Sequence, residues 1–476
     1  MKRKNMLSIG VTLIICALIA TVLITNNPSS ETIAAVNEQT FFVGVTYGGD
    51  NVADAKTLID RVKGFTNLFI VQSGPLQGDI DAVNAICRYA ADAGLYNIVY
   101  LSGANRDNCV GKFFSDFKVW ESNLGVYFDD EPGGKMLDNS WNTHLFDPST
   151  GYNVIKQSPE KMTVYTTFGS LRYSFNESEG WSVLMLVNSD QENGNEKVYL
   201  FETNSTIYNV DYHNGEIVSQ VQDTSSLPIK SYQEIMAIRP YQTIDFAANI
   251  FVGNYQHNVE WLRNQSQRPV NVFTSDYGLY WFDYLSGYDV VLAQFGWNHT
   301  TAQDIALVRG AAEAQGKDWG AILTWKYTHA PYLASGDELL SQMNEAYFGG
   351  AKYVVLFNFA DDMEGAYGTL QEEHFAALEQ FWTNTLSNNA MEENPVVCTS
   401  TNVDIAVVLP KNFGGGLRNL QDNIWGTWGA NEQSQQIWET IQSALEKHGP
   451  QLDIIYDDNM AAEKYSHLYS WNQTVS

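Results

Sequence analysis

The sequence predicts an α/β protein whose main part is a closed barrel of eight strands and eight helices, with an antiparallel β insertion after strand four and a small C-terminal βαβ unit. From residue 41 onward, short apolar, β-branched runs alternate with helix-length amphipathic stretches. Eight such units match the count of a (β/α)8 barrel. A doubly wound sheet is the competitor, but the turn after the first run, Tyr47-Gly48-Gly49-Asp50, lacks the dinucleotide-binding glycine spacing.

The predicted barrel covers residues 40–395 and has two groups of four strands. The first group is 41–47, 67–72, 97–102 and 124–130, and the second is 270–275, 289–295, 319–326 and 352–359. A helix over 302–315 is predicted to open with a capping box of Thr301 and Asp304. Another helix, near 242–264, leads into strand five.

Two further units accompany the barrel. Residues 133–240 form the predicted β-rich insertion, with strands near 181–187, 197–202, 207–212 and 216–221 and a hairpin signal at Asn214-Gly215. Residues 396–476 form the predicted small α/β domain, with strands at 403–409 and 452–456, a helix near 431–447 and a third strand near 467–471. Its glycines 414–416 lack the residues of a phosphate-binding loop and are interpreted as a flexible turn.

The first thirty residues predict an export signal. Lys2, Arg3 and Lys4 precede an uncharged apolar run over residues 6–25, long enough to cross a bilayer. We expect an uncleaved anchor, single-pass, with the body of the protein outside the cell; cleavage would make the protein secreted. Five glycosylation sequons agree with export, at Asn176, Asn204, Asn264, Asn298 and Asn472.

Composition excludes several classes of function. The 27 basic and 55 acidic residues give a net charge of −28, which disfavours nucleic acids and anionic lipid surfaces as partners. Hydrophobic residues make up 44% of the 476, so a large core is expected rather than disorder. Scattered His and Cys residues predict no metal site and no cofactor. Cys87 and Cys109 are either a disulfide or two buried free thiols.

Polar and aromatic residues follow almost every predicted barrel strand. The carboxyl ends of the strands carry the active site in barrel enzymes, and amides, carboxylates and aromatic faces around one mouth suit the recognition of hydroxyl-rich rings. We therefore expect a carbohydrate substrate. The residues expected to bind it are Tyr47, Gln72, Tyr127, Asp130, Tyr277, Gln294, Trp297, Asn298, Trp325, Lys326, Tyr327 and Asn358.

The segment at residues 125–132, Gly-Val-Tyr-Phe-Asp-Asp-Glu-Pro, carries the main catalytic prediction. On a strand, Asp129 and Glu131 share one face, and two close carboxylates raise each other's pKa. Glu131 is then the general acid and Asp129 its partner. A capped acidic turn or a Ca²⁺ site is the alternative. Asp276, after strand five, is the first choice for a second catalytic carboxylate, as nucleophile or base.

The same segment resembles the strand-four signature of family 18 glycoside hydrolases, the chitinase-like barrels with a D-x-x-D-x-D-x-E pattern. The resemblance implies that Glu131 is the acid and that Asp129 assists the acetamido group of the substrate. Leu124 and Tyr127 stand at the two earlier Asp positions, and Asp130 replaces the usual aromatic residue. The match covers about eight residues of 476, so the sugar does not follow from it.

The preferred hypothesis is an extracellular glycoside hydrolase acting on an oligo- or polysaccharide. A non-catalytic carbohydrate-binding or cell-envelope protein on a degenerate barrel is the alternative, since the segment over 324–327 at the end of strand seven contains no Glu. Polysaccharide deacetylation is a third hypothesis, which lacks the metal ligands that such enzymes normally use.

Overall fold

The computed structural model describes residues 40–101, 106–138, 243–297, 300–387, 403–426, 428–458, 463–473 and 475, and the backbone of strands between 145 and 221. The predicted N-terminal anchor and Asn298 lie outside these residues. None of the helices in the described part of the chain has the length and apolarity that crossing a bilayer requires.

The first half of the protein alternates strictly between strand and helix. In chain order its elements are β1 (Phe42–Tyr47), α1 (Val52–Val62), β2 (Leu68–Val71), α2 (Ile80–Asp92), β3 (Tyr96–Leu101), α3 (Arg106–Asp116), β4 (Asn123–Phe128) and the short α4 (Pro132–Leu137). Strand β4 ends two residues earlier than predicted, because Asp129 and Glu131 both adopt left-handed backbone conformations, with φ of 52° and 55°.

An eight-stranded antiparallel sheet follows α4. Its strands are β5 (Leu145–Asp147), β6 (Tyr152–Ser158), β7 (Lys161–Thr166), β8 (Gly169–Asn176), β9 (Gly180–Asp190), β10 (Asn195–Phe201), β11 (Ile207–Asp211) and β12 (Ile217–Val221). Each strand pairs with its sequence neighbour, so the sheet is a meander. The sequence predicted only the last four strands, since β5–β8 carry many polar residues and alternate weakly.

The second half resumes the βα alternation. Its elements are α5 (Ile244–Gln265), β13 (Val272–Asp276), α6 (Tyr280–Leu285), β14 (Val290–Phe295), α7 (Thr301–Gln315), β15 (Asp318–Leu323), α8 (Gly336–Phe348), β16 (Tyr353–Leu356) and α9 (Glu372–Gln380), which continues as a π-helix over Phe381–Leu386. The predicted capping box at α7 is wrong: the N-cap is Thr300, and the carboxyl of Asp304 is buried and accepts a hydrogen bond from the Tyr280 hydroxyl.

The eight parallel strands close into a barrel in the order β1-β2-β3-β4-β13-β14-β15-β16, with β16 pairing back to β1. The predicted (β/α)8 fold is confirmed. Aromatic side chains fill the barrel interior: the ring of Tyr353 stacks on Phe42 at 5.1 Å and meets Phe273 edge-on at 5.2 Å. Because the interior is packed, open space is left at the carboxyl mouth of the strands.

The two cysteines lie in the layer between strands and helices. Cys87 on α2 and Cys109 on α3 are buried free thiols, so the disulfide alternative is wrong. Burial raises the pKa of the Cys87 thiol, which makes it a packing residue rather than a nucleophile.

The C-terminal unit is a three-stranded parallel sheet with one long helix. It contains β17 (Ile405–Leu409), α10 (Glu432–His448), β18 (Leu452–Tyr456) and β19 (His467–Ser470), in the sheet order β18-β17-β19. Arg309 of α7 fastens it to the barrel: its Nε lies 2.7 Å from Asp453 Oδ1, and its Nη2 donates to the carbonyls of Leu452 and Pro450. Both side chains of this ion pair are buried, so removing either costs about 3–5 kcal/mol.

The glycines at 414–416 form a packed turn, not a flexible one. A Cβ on Gly414 would lie 2.1 Å from the ring of Trp425, and a Cβ on Gly416 would lie 2.4 Å from the Leu137 side chain. The absent side chains let this segment of the C-terminal unit press against α4 at the barrel mouth.

Candidate active site

A cavity of about 580 Å3 opens at the carboxyl mouth of the barrel. Strands β2, β4, β13, β14, β15 and β16 all contribute to its wall, as does the C-terminal unit. The lining residues are Gln72, Asp130, Glu131, Asp138, Ser275, Tyr277, Gln294, Trp297, Ile322, Thr324, Trp325, Phe357, Phe359 and Arg418. Its size is that of a small-molecule site.

Glu131 lines this cavity as the N-cap residue of α4. Its backbone N–H donates to the Ser275 carbonyl at 2.9 Å, which ties the end of β4 to β13. The side-chain amide of Gln294 donates to Glu131 Oε1 at 2.8 Å, and Lys135 Nζ lies 3.7 Å from Oε2. Burial and the neighbouring Asp130 charge raise the pKa of Glu131, while the Gln294 hydrogen bond and Lys135 oppose the rise. The group is thereby suited to holding a proton.

Asp130 is the carboxylate that accompanies Glu131 in the cavity. Its Oδ1 accepts hydrogen bonds from the Tyr127 hydroxyl and, at 3.2 Å, from Ser275 Oγ, and Lys135 Nζ lies 3.8 Å from Oδ2. These contacts fix the orientation of the carboxylate. The sequence placed Asp130 among the binding residues and not among the catalytic ones, because a strand that continued through it would turn its side chain away from that of Glu131.

Asp129 does not line the cavity, contrary to its predicted pairing with Glu131. Its Oδ2 accepts a hydrogen bond from Asn258 of α5 at 3.3 Å, and its carbonyl accepts one from Thr274. Strict side-chain alternation holds only while the strand continues. Here the strand stops at Phe128, and the left-handed turns at Asp129 and Glu131 bring Asp130 and Glu131 to the cavity together.

Asp276 is also displaced from its predicted role as nucleophile or base. Its side chain is buried and does not line the cavity. Its two carboxylate oxygens accept backbone N–H bonds from Gly133 and Gly134 in the first turn of α4, and from Tyr277 and Gly278. Burial raises the pKa of Asp276 and these N–H donors lower it. Asp276 therefore positions the helix that Glu131 begins.

Aromatic side chains form another part of the cavity wall. Trp297 and Trp325 meet edge-on with ring centroids 6.0 Å apart, and Trp325 Nε1 donates to the Phe359 carbonyl at 2.9 Å. Trp297 and Phe359 are more than one-third exposed. Such faces stack on the apolar faces of ring-shaped ligands. Of the predicted binding residues, Gln72, Asp130, Tyr277, Gln294, Trp297 and Trp325 line the cavity.

Five other predicted binding residues lie away from the cavity, whose described lining excludes them: Tyr47, Tyr127, Lys326, Tyr327 and Asn358. Tyr47 and Tyr127 are buried. Lys326 is ion-paired with Glu338 at 2.6 Å and lies over the ring of Tyr327. The Asn358 side chain accepts from the Thr369 backbone at 2.9 Å. These residues follow or end strands but face the packed interior, the helices or a loop.

The sequence missed Ser275, Asp138, Arg418 and the apolar lining residues of β15 and β16. Side-chain alternation could have identified Ser275, because it precedes Asp276 by one residue and therefore lies on the opposite face of β13. Its Oγ joins the two halves of the site by bonding Tyr127, Asp130 and Gln294. Arg418 gives no such signal, because it comes from the C-terminal unit.

Two amide oxygens in the wall are unsatisfied. Within the described residues, Oε1 of Gln72 and Oε1 of Gln294 are buried without a hydrogen-bond partner. A buried acceptor in that state is costly by about 1–3 kcal/mol. The described residues contain no group of three His, Cys, Asp or Glu side chains placed to hold a metal ion.

No protein-family model matches the chain, and no curated protein matches it. Solved structures resemble it in fold. GH5_18 from Streptomyces cattleya, in complex with GlcNAc, is 10% identical with a TM-score of 0.46, covering 91% of this chain and 99% of that chain. The endo-1,4-beta-mannanase from Rhizomucor miehei is 7% identical with a TM-score of 0.37, covering 74% and 96%. D-psicose 3-epimerase, also 7% identical, has a TM-score of 0.31.

The closed ring of eight parallel strands makes the chain a (β/α)8 barrel. Barrels of this kind support many unrelated reactions. The function therefore has to be argued from the side chains of the cavity.

Proposed function

We propose that the protein hydrolyses glycosidic bonds of an extracellular oligo- or polysaccharide, with Glu131 as general acid and Asp130 as the assisting carboxylate. The observation that carries the proposal is the adjacent pair Asp130 and Glu131 in the barrel mouth, with the pKa of Glu131 raised by burial and by the Asp130 charge. Asp130 replaces the predicted partners, Asp129 and Asp276, because neither of those lines the cavity.

The reaction follows from the environments of the two carboxyl groups. Protonated Glu131 gives its proton to the glycosidic oxygen as the bond from that oxygen to the anomeric carbon breaks. The Asp130 carboxylate stabilises the positive charge that develops on the sugar. Water then adds to the anomeric carbon and returns a proton to Glu131. Gln294 and Lys135 keep the Glu131 carboxyl in place during both steps.

The aromatic wall supports a sugar as the ligand. Trp297, Trp325 and Phe359 offer ring faces in the same cavity as Asp130 and Glu131. A pyranose stacked on these rings would direct the hydroxyls and the glycosidic oxygen at its edge to the polar lining residues. Gln72 and Gln294 add amide groups to that polar lining.

The test is release of reducing ends from a panel of glycans by the wild type and by Glu131→Gln. Turnover should fall by about 10²- to 10⁴-fold in the variant, the usual effect of losing a general acid. Glu364→Gln is the matched control, since it makes the same chemical change at an exposed residue on the loop after β16. Equal turnover by wild type and Glu131→Gln would contradict the proposal.

A second function is a carbohydrate-binding protein without turnover. The observation that favours it is that all carboxylates among the described lining residues, Asp130, Glu131 and Asp138, come from one short stretch, while Thr324 stands after β15. Retaining and inverting hydrolases usually flank the scissile bond with two carboxylates. Sugar binding by the wild type and by Glu131→Gln, with no product from either protein, would establish this second function.

A further inference from the structure

The C-terminal unit contributes Arg418 to one side of the cavity. We propose that Arg418 is a specificity-determining residue, because it blocks this side and so restricts binding to the ends of glycan chains. The inference rests on the proposed function, because it names which part of a glycan the same site accepts.

Arg418 is held in place by contacts on three sides. Its Nη1 lies 2.6 Å from Asp138 Oδ1 on the barrel, and its Nη2 lies 2.7 Å from Asp422 Oδ1 in its own loop. The guanidinium carbon is 5.5 Å from the centroid of the Tyr277 ring, whose hydroxyl donates to Asp138 Oδ2 at 2.8 Å. The Arg418 side chain is only 16% exposed. A bidentate, largely buried arginine of this kind is a fixed part of the wall rather than a mobile side chain.

The backbone behind Arg418 is packed just as closely. Gly426, with φ of 60°, lies so near the Met136 carbonyl that a Cβ would come within 2.1 Å of its oxygen. The ring of Trp425 contacts Phe282 of α6 at 4.7 Å and Phe251 of α5 at 5.6 Å. The loop therefore cannot swing away from the barrel without unpacking a buried tryptophan, which costs several kcal/mol.

Within the described lining, Arg418 lies at the edge of the cavity next to Asp138 and Tyr277. A long polysaccharide runs through a groove that is open at both ends. The fixed Arg418 instead closes this cavity of about 580 Å3 on the side of the C-terminal unit, and such a cavity holds a ligand of about two sugar rings. A chain bound here has to enter by its end, with Arg418 blocking its continuation past Tyr277.

The experiment uses the full chain with ladders of neutral cello-, manno- and chito-oligosaccharides. Two properties are measured for each ladder: the affinity as a function of chain length, and the size of the products. We expect affinity to stop rising beyond about two sugars, and products to be short pieces from chain ends. The affinity measurement needs no turnover and is repeated with Glu131→Gln.

Arg418→Ala should open the wall, so affinity should continue to rise with chain length and internal cleavage should appear. Lys464→Ala is the matched control, because Lys464 also joins the C-terminal unit to the barrel by an ion pair, with Glu313, but does not line the cavity. Arg418→Lys tests whether a cation alone suffices. Thermal melting of all three variants separates an opened wall from a loosened domain.

The outcomes separate the two proposals. Internal cleavage of long chains by the wild type would overturn the proposal that Arg418 restricts the protein to chain ends, and so would an affinity that rises steadily with chain length. Neither result would contradict the proposed hydrolysis. Affinity that stops rising beyond about two sugars, without any product, would support the role of Arg418 and contradict the proposed hydrolysis. No binding and no product on any ladder would contradict the carbohydrate function, and with it the role of Arg418.

Discussion

At the scale of single residues, the surroundings of Glu131 favour its protonated form. Burial and the neighbouring Asp130 charge raise the pKa of Glu131, while the hydrogen bond from Gln294 and the charge of Lys135 oppose the rise. Asp130 accepts hydrogen bonds from Tyr127 and Ser275, which hold its carboxylate in place beside Glu131. Glu131 is therefore the member of the pair that is suited to act as the acid.

The first prediction concerns the pH profile of kcat/KM. Its basic limb marks loss of the Glu131 proton, so the limb lies above the ordinary carboxyl value of 4.5. The Asp130 charge raises the pKa of Glu131 and Lys135 lowers it. Asp130→Asn should therefore move the basic limb to lower pH, and Lys135→Met should move it to higher pH, whatever each variant does to the maximal rate. Basic limbs that move in the same direction in the two variants, or that do not move, would contradict the assignment of the proton to Glu131.

At the scale of elements, sequence periodicity predicted the eight barrel strands and the C-terminal βαβ unit because buried strands carry unbroken apolar runs. Periodicity could not predict where β4 ends. The apolar residues stop at Phe128, and the acidic residues that follow show no pattern. Their side-chain directions depend on the left-handed backbone at Asp129 and Glu131. Hydrophobic pattern carries no information on a left-handed turn at a non-glycine residue. The sequence therefore predicted Glu131 with Asp129 as its partner, whereas the structure brings Asp130 to the cavity beside Glu131.

The second prediction tests Asp276 as the anchor of α4. Asn at this position loses an acceptor for the N–H groups of Gly133 and Gly134, so the free energy of unfolding should fall by about 1–3 kcal/mol. Glu131 begins the same helix, so kcat should fall by up to about a hundredfold with KM changing less. Denaturant unfolding and steady-state kinetics measure the two effects.

Asp304→Asn is the matched control for that change. Asp304 is also a buried carboxyl, and burial raises its pKa well above the ordinary value of 3.8, but it accepts its hydrogen bond from Tyr280 of α6. Asparagine at position 304 therefore replaces a carboxyl that favours its own neutral form. We expect little change in kcat from this variant. Full activity and full stability in Asp276→Asn would show that α4 holds Glu131 without the anchor.

At the scale of the whole molecule, the cavity is built by two units. The barrel supplies the carboxylates and the aromatic wall, and the C-terminal unit supplies Arg418. No local pattern in the sequence links residue 418 to residue 138, because their contact exists only once the C-terminal unit has packed on α4 and α7. Contacts of this kind depend on how folded elements pack against one another. The sequence therefore predicted the C-terminal unit but not that its Arg418 lines the cavity.

The last prediction follows from the charges around the cavity. The carboxylates of Asp130 and Asp138 face it, and Arg418 is engaged with Asp138 and Asp422, so an anionic ligand meets little free positive charge there. The net charge of −28 adds a repulsive field. A neutral oligosaccharide should therefore bind at least about tenfold more tightly than the uronic acid of the same length and linkage, since a single close charge pair is worth about 1–4 kcal/mol. Titrations at low and high salt measure the difference, which should shrink as salt screens the repulsion. Tighter binding of the uronic acid would mean that Arg418 leaves its two carboxylate partners to hold the ligand.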